Sequence, residues 1–253
     1  MTKEEQLFLK HISDLANAAY QKVFPTSTDF LSLYEQDLFL SHREDVPPID
    51  YKLNGGTPFS ERKILCFLPD KELYADYLPI SVLEIVPIQI KFSEELSHRD
   101  YLGALMNLGI ERSMLGDILI SEKKQVYLFC KQHMSDYIIE HLSFVKHTNM
   151  ICRYFDGSVE EMQPHFEEQR GSVASPRLDS VLAVVFSGSR SKLSGLIEGK
   201  KVFVNSRLEE SAAYQLKPND IVSVRGYGKF IFEDMVGTTK KGRVMILVKR
   251  FVS

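Results

Sequence analysis

The chain has 253 residues, 44% hydrophobic and 26% charged, with a net charge of −3. That composition excludes a disordered or fibrous chain and fits one to three globular domains with real cores. No apolar run reaches the roughly 18 residues of a membrane-spanning helix. The start, MTKEEQLFLKH, is charged and lacks the apolar stretch of a secretory leader, so a cytoplasmic protein is expected. Cys66, Cys130 and Cys152 lie far apart and outside any CxxC pair, which points to small buried hydrophobes rather than a disulfide or zinc site.

The net charge hides an asymmetry. Residues 171–253 hold 14 Lys+Arg against 7 Asp+Glu, whereas residues 1–170 hold 17 against 27. A basic end on an acidic chain is the footprint of a polyanion-binding module, although a solvated face can carry surplus charge too.

In chain order, Leu7, Phe8, Ile12, Leu15, Ala19 and Tyr20 recur at helical spacing. A break at 25–28 precedes a second helical stretch, FLSLYEQDLF. Asn54-Gly55-Gly56 marks a turn, and Lys63–Leu68 reads as a strand. These form an N-terminal mixed α/β domain over residues 1–80.

Residues 82–155 form the second domain. VLEIVPIQIKF is β-rich. Ser97 is placed to cap a helix with Leu102, Leu105 and Leu108 on one face. GDILIS and QVYLFC are strands joined by a polar turn at 122–124. HMSDYIIEHLSFV is a helix and TNMICRYF a strand. This order is that of the split βαβ, ferredoxin-like arrangement, which carries RNA-binding domains and much else. The acidic stretch DGSVEEMQPHFEEQRGSVASP then reads as a linker. The third domain, 175–253, reads as helix, helix, strand, loop and strand, closed by a hairpin turning at 237–242. The fold class expected is α+β, in three parts.

The third domain carries the specific signal. Arg177-Leu178-Asp179 opens its first helix and Ser189-Arg190-Ser191-Lys192 its second. Gly199-Lys200-Lys201-Val202-Phe203-Val204-Asn205 is a strand with an Asn turn, and Lys217-Pro218-Asn219-Asp220 leads into the next. Over about 50 residues this pattern resembles the RNA-binding module of ribosomal small-subunit protein four. Leu178, Val181, Leu182 and Val185 form one apolar helix face, and Leu193, Leu196 and Ile197 another. Cations gather at element ends: Arg177, Arg190, Lys192, Lys200, Lys201 and Arg207. Ser189 can cap the second helix, whose N–H groups then suit a phosphate. RNA-binding residues expected are therefore Arg177, Ser189, Arg190, Lys192, Lys200, Lys201, Asn205 and Arg207. Arg177 is equally suited to an ion pair with Asp179, and Asn205 to forming a turn.

Two further segments, GGTPFSERKILCF (55–67) and HRDYLGALMNLGIERSMLGDILIS (98–121), resemble the YlmH family, bacterial proteins with a C-terminal module of this kind. The resemblance covers most of the chain beyond about residue 50. It implies a ribosome-associated, non-catalytic RNA-binding protein acting in rescue or quality control of large subunits with stalled nascent chains. The implied partners are large-subunit ribosomal RNA and peptidyl-tRNA, with no membrane, cofactor, metal or small-molecule substrate. The family's cell-division label is a looser, gene-neighbourhood association. Arg62, Lys63, Arg99 and Arg112 would supply a second RNA surface, or ordinary ion pairs.

The alternative is an RNA-modifying enzyme anchored by its C-terminal module. The sequence lacks the signatures this would need. No catalytic domain follows the RLD triplet, as a pseudouridine synthase requires. Synthetase signatures and a Rossmann glycine turn are also missing. His98-Arg99-Asp100 resembles a kinase catalytic loop, but position 105 is Leu where that loop needs Asn.

Overall fold

The computed structural model describes residues 1–252, except 90–93, 122–124, 159–161 and 163. The chain divides into two compact units, Met1–Pro164 and His165–Val252.

The first unit begins with α1 (Lys3–Lys22), where Thr2 and Glu5 form a capping box. Ile12, Ala16 and Ala19 are its buried stripe, and it ends at Val23 in the left-handed conformation, two residues before Pro25. Leu7 and Tyr20, counted in the apolar face from sequence, are exposed. The segment at 25–28 is not a simple break. Thr26–Leu31 is strand β1, and α2 (Leu33–Ser41) starts only after Ser32, which pairs with Glu35 in a second capping box. Phe30 and Leu31, read as helical, therefore lie in a strand. β2 (Asp50–Asn54) and β3 (Lys63–Leu68) complete an antiparallel sheet of order β1-β3-β2.

β4 (Ile80–Pro87), α3 (His98–Asn107), β5 (Leu115–Ile120), β6 (Val126–Lys131), α4 (Ser135–His141), β7 (Phe144–Val145) and β8 (Thr148–Tyr154) follow. The sheet order is β5-β6-β4-β8-β7, antiparallel throughout. Its four long strands have the split βαβ order, with β7 added at the edge as half of a hairpin. The expected turn at 122–124 and the end of VLEIVPIQIKF lie outside the described residues.

All six residues of β6 are buried, because both faces of this sheet are covered. Val126, Leu128 and Cys130 pack under α3 and α4 with Leu105, Ile138 and Leu142. Tyr127 and Phe129 point the other way, onto Phe30 and Ile64 of the N-terminal sheet. The unit is thus layered helix, sheet, sheet, helix, with α1 and α2 on the outer face of the first sheet. Each large side chain buried between the sheets stabilises by about 1.5–3 kcal/mol over exposure.

The second unit is one six-stranded antiparallel sheet of order β11-β10-β12-β13-β14-β9 with two helices on one face. Its elements are β9 (His165–Val173), α5 (Leu178–Val185), α6 (Arg190–Glu198), β10 (Val202–Val204), β11 (Arg207–Leu208), β12 (Asp220–Val224), β13 (Gly228–Thr238) and β14 (Val244–Val252). β9 corrects the sequence reading: nine residues taken as linker pair along all of β14. HFEEQRGSV has no apolar alternation, so its strand character comes from that pairing. Helical and sheet residues interleave in one core, including Leu182, Leu193, Ile197, Phe230, Phe232 and Val248.

Candidate nucleic-acid interface

α6 begins as its sequence suggests. The Ser189 hydroxyl accepts from the Lys192 backbone N–H at 3.3 Å. Leu193, Leu196 and Ile197 turn into the core, which leaves Lys192 exposed. Arg190 opens the helix, its side chain lying outside the described atoms. The helix closes at Gly199. Lys200 follows in the left-handed conformation (φ 55), exposed, its ammonium 3.0 Å from the equally exposed Glu210. Lys201 is exposed before β10.

The turn between β12 and β13 joins these pieces. The Arg225 N–H donates to the Lys201 carbonyl at 2.9 Å. The Tyr227 ring meets Phe186, at the end of α5, edge-on at 5.7 Å, and the loop from Phe186 leads directly to Ser189. Gly226 (φ 81) and Gly228 (φ 121) supply the positive φ this turn needs. Arg225 lays its guanidinium over the Phe203 ring at 5.1 Å and is exposed, as is Tyr227. This end of the sheet therefore gathers Lys201, with Lys200 next to it, and two residues the sequence reading passed over, Arg225 and Tyr227. The signal was present in VRGYGKF, a two-glycine turn flanked by cations and an aromatic.

The other predicted residues lie elsewhere. Arg177 caps α5, its guanidinium held at 3.1 Å from both carboxylate oxygens of Asp179, the ion pair foreseen as the other use of this side chain. That pair raises the Arg177 pKa. The first N–H groups of α5 donate to Tyr214 and Ala212 carbonyls, so its N-terminus is closed by the chain. Asn205 sits at φ 51, donates to the Asp220 carboxylate at 2.8 Å and accepts from the Ile221 N–H at 2.9 Å. These are the bonds of a turn former. Arg207 is exposed beside that turn. Arg177, Asn205 and Arg207 thus share the Asp220 end of the sheet, and Lys201 and Arg225 the opposite end.

The four cations of the expected second surface do not form one surface. Arg62 donates to the carbonyls of Phe30 (2.6 Å), Leu115 (3.0 Å) and Arg112 (3.4 Å), tying the N-terminal sheet to β5. Arg112 donates to the carbonyls of Leu115 (2.5 Å) and Gly116 (3.1 Å). Burial lowers the pKa of both; with Arg62 beside it, Arg112 falls to about 10. The Asp117 carboxylate accepts from the backbone of Glu61 and Arg62 and is a counter-charge to both guanidiniums, after Glu35 in the case of Arg62. The segments around 55–67 and 98–121 therefore meet as a structural joint. At Gly116 a Cβ would come within 2.6 Å of the Phe30 ring. Lys63 opens β3, half-buried.

Arg99 stands apart, lining a shallow groove with Asp100, Asn107, His141 and Lys146. Asp100 accepts from the Ser97 N–H and hydroxyl and pairs with Lys146 at 2.9 Å. These bonds hold its carboxyl at about 2, so it stays ionised and is a weak base. Among the described residues, no three His, Cys, Asp or Glu side chains are grouped to hold a metal ion, and no helix is long and apolar enough to cross a membrane.

Comparison with known proteins agrees with this architecture. Residues 75–156 match the family model “Putative RNA-binding domain in YlmH”, and residues 176–222 match the S4 domain. The chain is 27% identical over 252 residues to “Ribosome-associated protein quality control protein P2” of Bacillus subtilis, covering 98% of this chain and 96% of that protein. The chain thus carries a domain that matches the RNA-binding domain of YlmH and, after it, an S4 domain. The solved structure of “Cell division protein ylmH from Streptococcus pneumoniae” is similar in fold, with a TM-score of 0.50 and 22% identity over 64% of this chain and 97% of that one. The YlmH model spans β4 to β8, the split βαβ domain whose outer sheet face lies under the N-terminal sheet. The S4 match runs from α5 into β12 and leaves β9, β13 and β14 outside it.

Proposed function

We propose that this chain is a non-catalytic RNA-binding factor of the large ribosomal subunit, acting in rescue or quality control of subunits that carry a stalled nascent chain on tRNA. The observation that carries the reading is the gathering of Lys200, Lys201 and Arg225 where α6 closes and β10 begins, in a region with twice as many cations as anions. Long cations at element ends suit the phosphate backbone, which positions a protein on RNA without reading bases. Arg190 and Lys192 belong to the same surface on this reading, and Tyr227 offers a ring for an unstacked base. The quality-control name of the Bacillus subtilis relative supports the ribosomal setting. The partners are then large-subunit ribosomal RNA and peptidyl-tRNA, in the cytoplasm. An RNA-modifying enzyme would need a carboxylate or histidine poised near neutral pH. Asp100 in the groove is held far below that range.

The test replaces Arg190, Lys192, Lys200 and Lys201 with Ala. Lys192, Lys200 and Lys201 are exposed, so substituting them leaves the core of Leu182, Leu193 and Ile197 intact. Sedimentation with large subunits should be lost while the protein stays folded. A control variant, Lys3, Lys10 and Lys22 to Ala, should sediment like the wild type. A folded quadruple variant that still sediments with large subunits would refute this anchor.

A further inference from the structure

The hairpin of β13 and β14 lies outside the S4 match and is built unlike the rest of its sheet. β12 pairs with β13 only from Gly228 to Phe232. Beyond that point β13 has β14 on one side alone, and its register shifts twice, between Phe232 and Asp234 and between Met235 and Gly237. Such bulges bend a strand and sharpen its twist. Residues 234–238 are exposed, with Met235 and Val236 each nearly half accessible. The turn beyond is Thr239-Lys240-Lys241-Gly242-Arg243, three cations and no acid, with Gly242 at φ 74. Arg243 is anchored: its guanidinium donates to the Ser172 carbonyl at 2.5 Å, bracing the tip against β9. Lys240 and Lys241 are exposed, and no described residue pairs with either.

The position of this tip matters as much as its charge. Gly228 begins β13 at the turn where Arg225 meets Lys201, and Thr238 ends it next to the hairpin turn. At about 3.3 Å per residue the strand separates these ends by roughly 30 Å. Nearer the tip, Arg207 lies beside the Asn205 turn, and Lys217 is exposed just before Asp220, whose strand partner is Phe232.

We propose that the 239–243 tip is a second RNA contact, gripping the phosphates of a structured RNA about 30 Å from those held at the Lys201 and Arg225 end. This rests on the RNA-binding reading above and adds an element to it. Two lysines on a bent two-stranded arm make a narrow, positive finger that can follow a helical groove between its phosphates. A is not chosen over G by such contacts, so the hairpin adds affinity and register rather than sequence preference. Because the two contacts are far apart, one compact RNA helix of about 16 base pairs can meet both.

The experiment measures binding of the full chain to a labelled RNA duplex of about 16 base pairs across a salt series. Three proteins are compared: wild type, Lys240→Ala with Lys241→Ala, and the Arg190, Lys192, Lys200 and Lys201 quadruple variant. Each lost phosphate contact removes about 0.7–0.9 from the slope of log affinity against log salt. The hairpin variant should lose about tenfold in affinity near 0.1 M salt and show a slope shallower by about 1.4–1.8. An unchanged affinity and slope for the hairpin variant, beside a weakened quadruple variant, overturns the hairpin contact and leaves the proposed function standing. If the wild type binds without salt dependence, the phosphate-based reading falls with it. Arg243 is left in place because it holds the tip's shape.

Discussion

Arg62 offers the sharpest separation between a binding role and a structural one. Its guanidinium serves three backbone carbonyls, from Phe30, Leu115 and Arg112, in a half-buried setting. Arg62→Ala removes all three bonds at once, while the Leu115 carbonyl keeps its bond from Arg112 and the Arg112 carbonyl its bond from the Leu115 N–H. Hydrogen bonds to a charged group are worth about 1.5–3 kcal/mol each, and three that share one group are less than additive. A loss of about 3 kcal/mol follows for the first unit. For a domain of this size that lowers the melting temperature by roughly 6–12 °C. Arg62→Lys should recover little, since an ammonium cannot fork to carbonyls on two strands. The assay is thermal unfolding of the full chain, followed by RNA binding at a temperature where the variant is folded. Affinity should equal that of the wild type. A variant that melts like the wild type but has lost RNA binding would show that the side chain faces RNA.

Two other predictions concern titration and reactivity. The Asp100 carboxyl is held at about 2 rather than its ordinary 3.8, so it stabilises the fold while ionised and loses that contribution as pH falls from about 4 toward 2. Asp100→Asn should therefore melt below the wild type at pH 7, with the gap narrowing in acid; a gap independent of pH would refute the assignment. Burial pushes the thiols of Cys66 up to about 11 and of Cys130 and Cys152 up to about 12. The folded protein should be inert to a thiol-specific reagent near neutral pH and react at all three positions once unfolded. Rapid labelling of the native protein would contradict that burial.

The helices and buried strands were legible because their residues repeat at a helical or alternating period and carry caps. Ser97 and Ser189, read as caps, stand where α3 and α6 begin. The central sheet could be ordered from its strand and helix sequence alone. β1 was not legible, because Phe30 and Leu31 run straight into a helical pattern and the boundary is set by Ser32 and by pairing with β3. β9 was not legible either, being polar along most of its length. At the interface, the cap at Ser189 and the cations around it could be read locally. The convergence of Arg225 and Tyr227 with Lys201 and Phe186 depends on the folded sheet. Arg62 and Arg112 misled because a run of sequence shows that a side chain is cationic, and only the folded chain shows carbonyls arranged to receive it.

The pairing of β9 with β14 makes the first strand of the second unit the neighbour of its last. Every other strand of that sheet is synthesised between the two, so β9 must wait through some 70 residues of chain for its partner. Until then β9 has no strand partner in this sheet, and its exposed charges, Glu167, Glu168 and Arg170, discourage pairing with another chain. This pairing therefore cannot form before the unit's last strand is made, and it joins the most distant parts of the segment, the kind of contact that slows folding most. A nascent chain halted between residues 223 and 239 would hold the whole S4 match but lack both the partner of its outer strand and its basic finger.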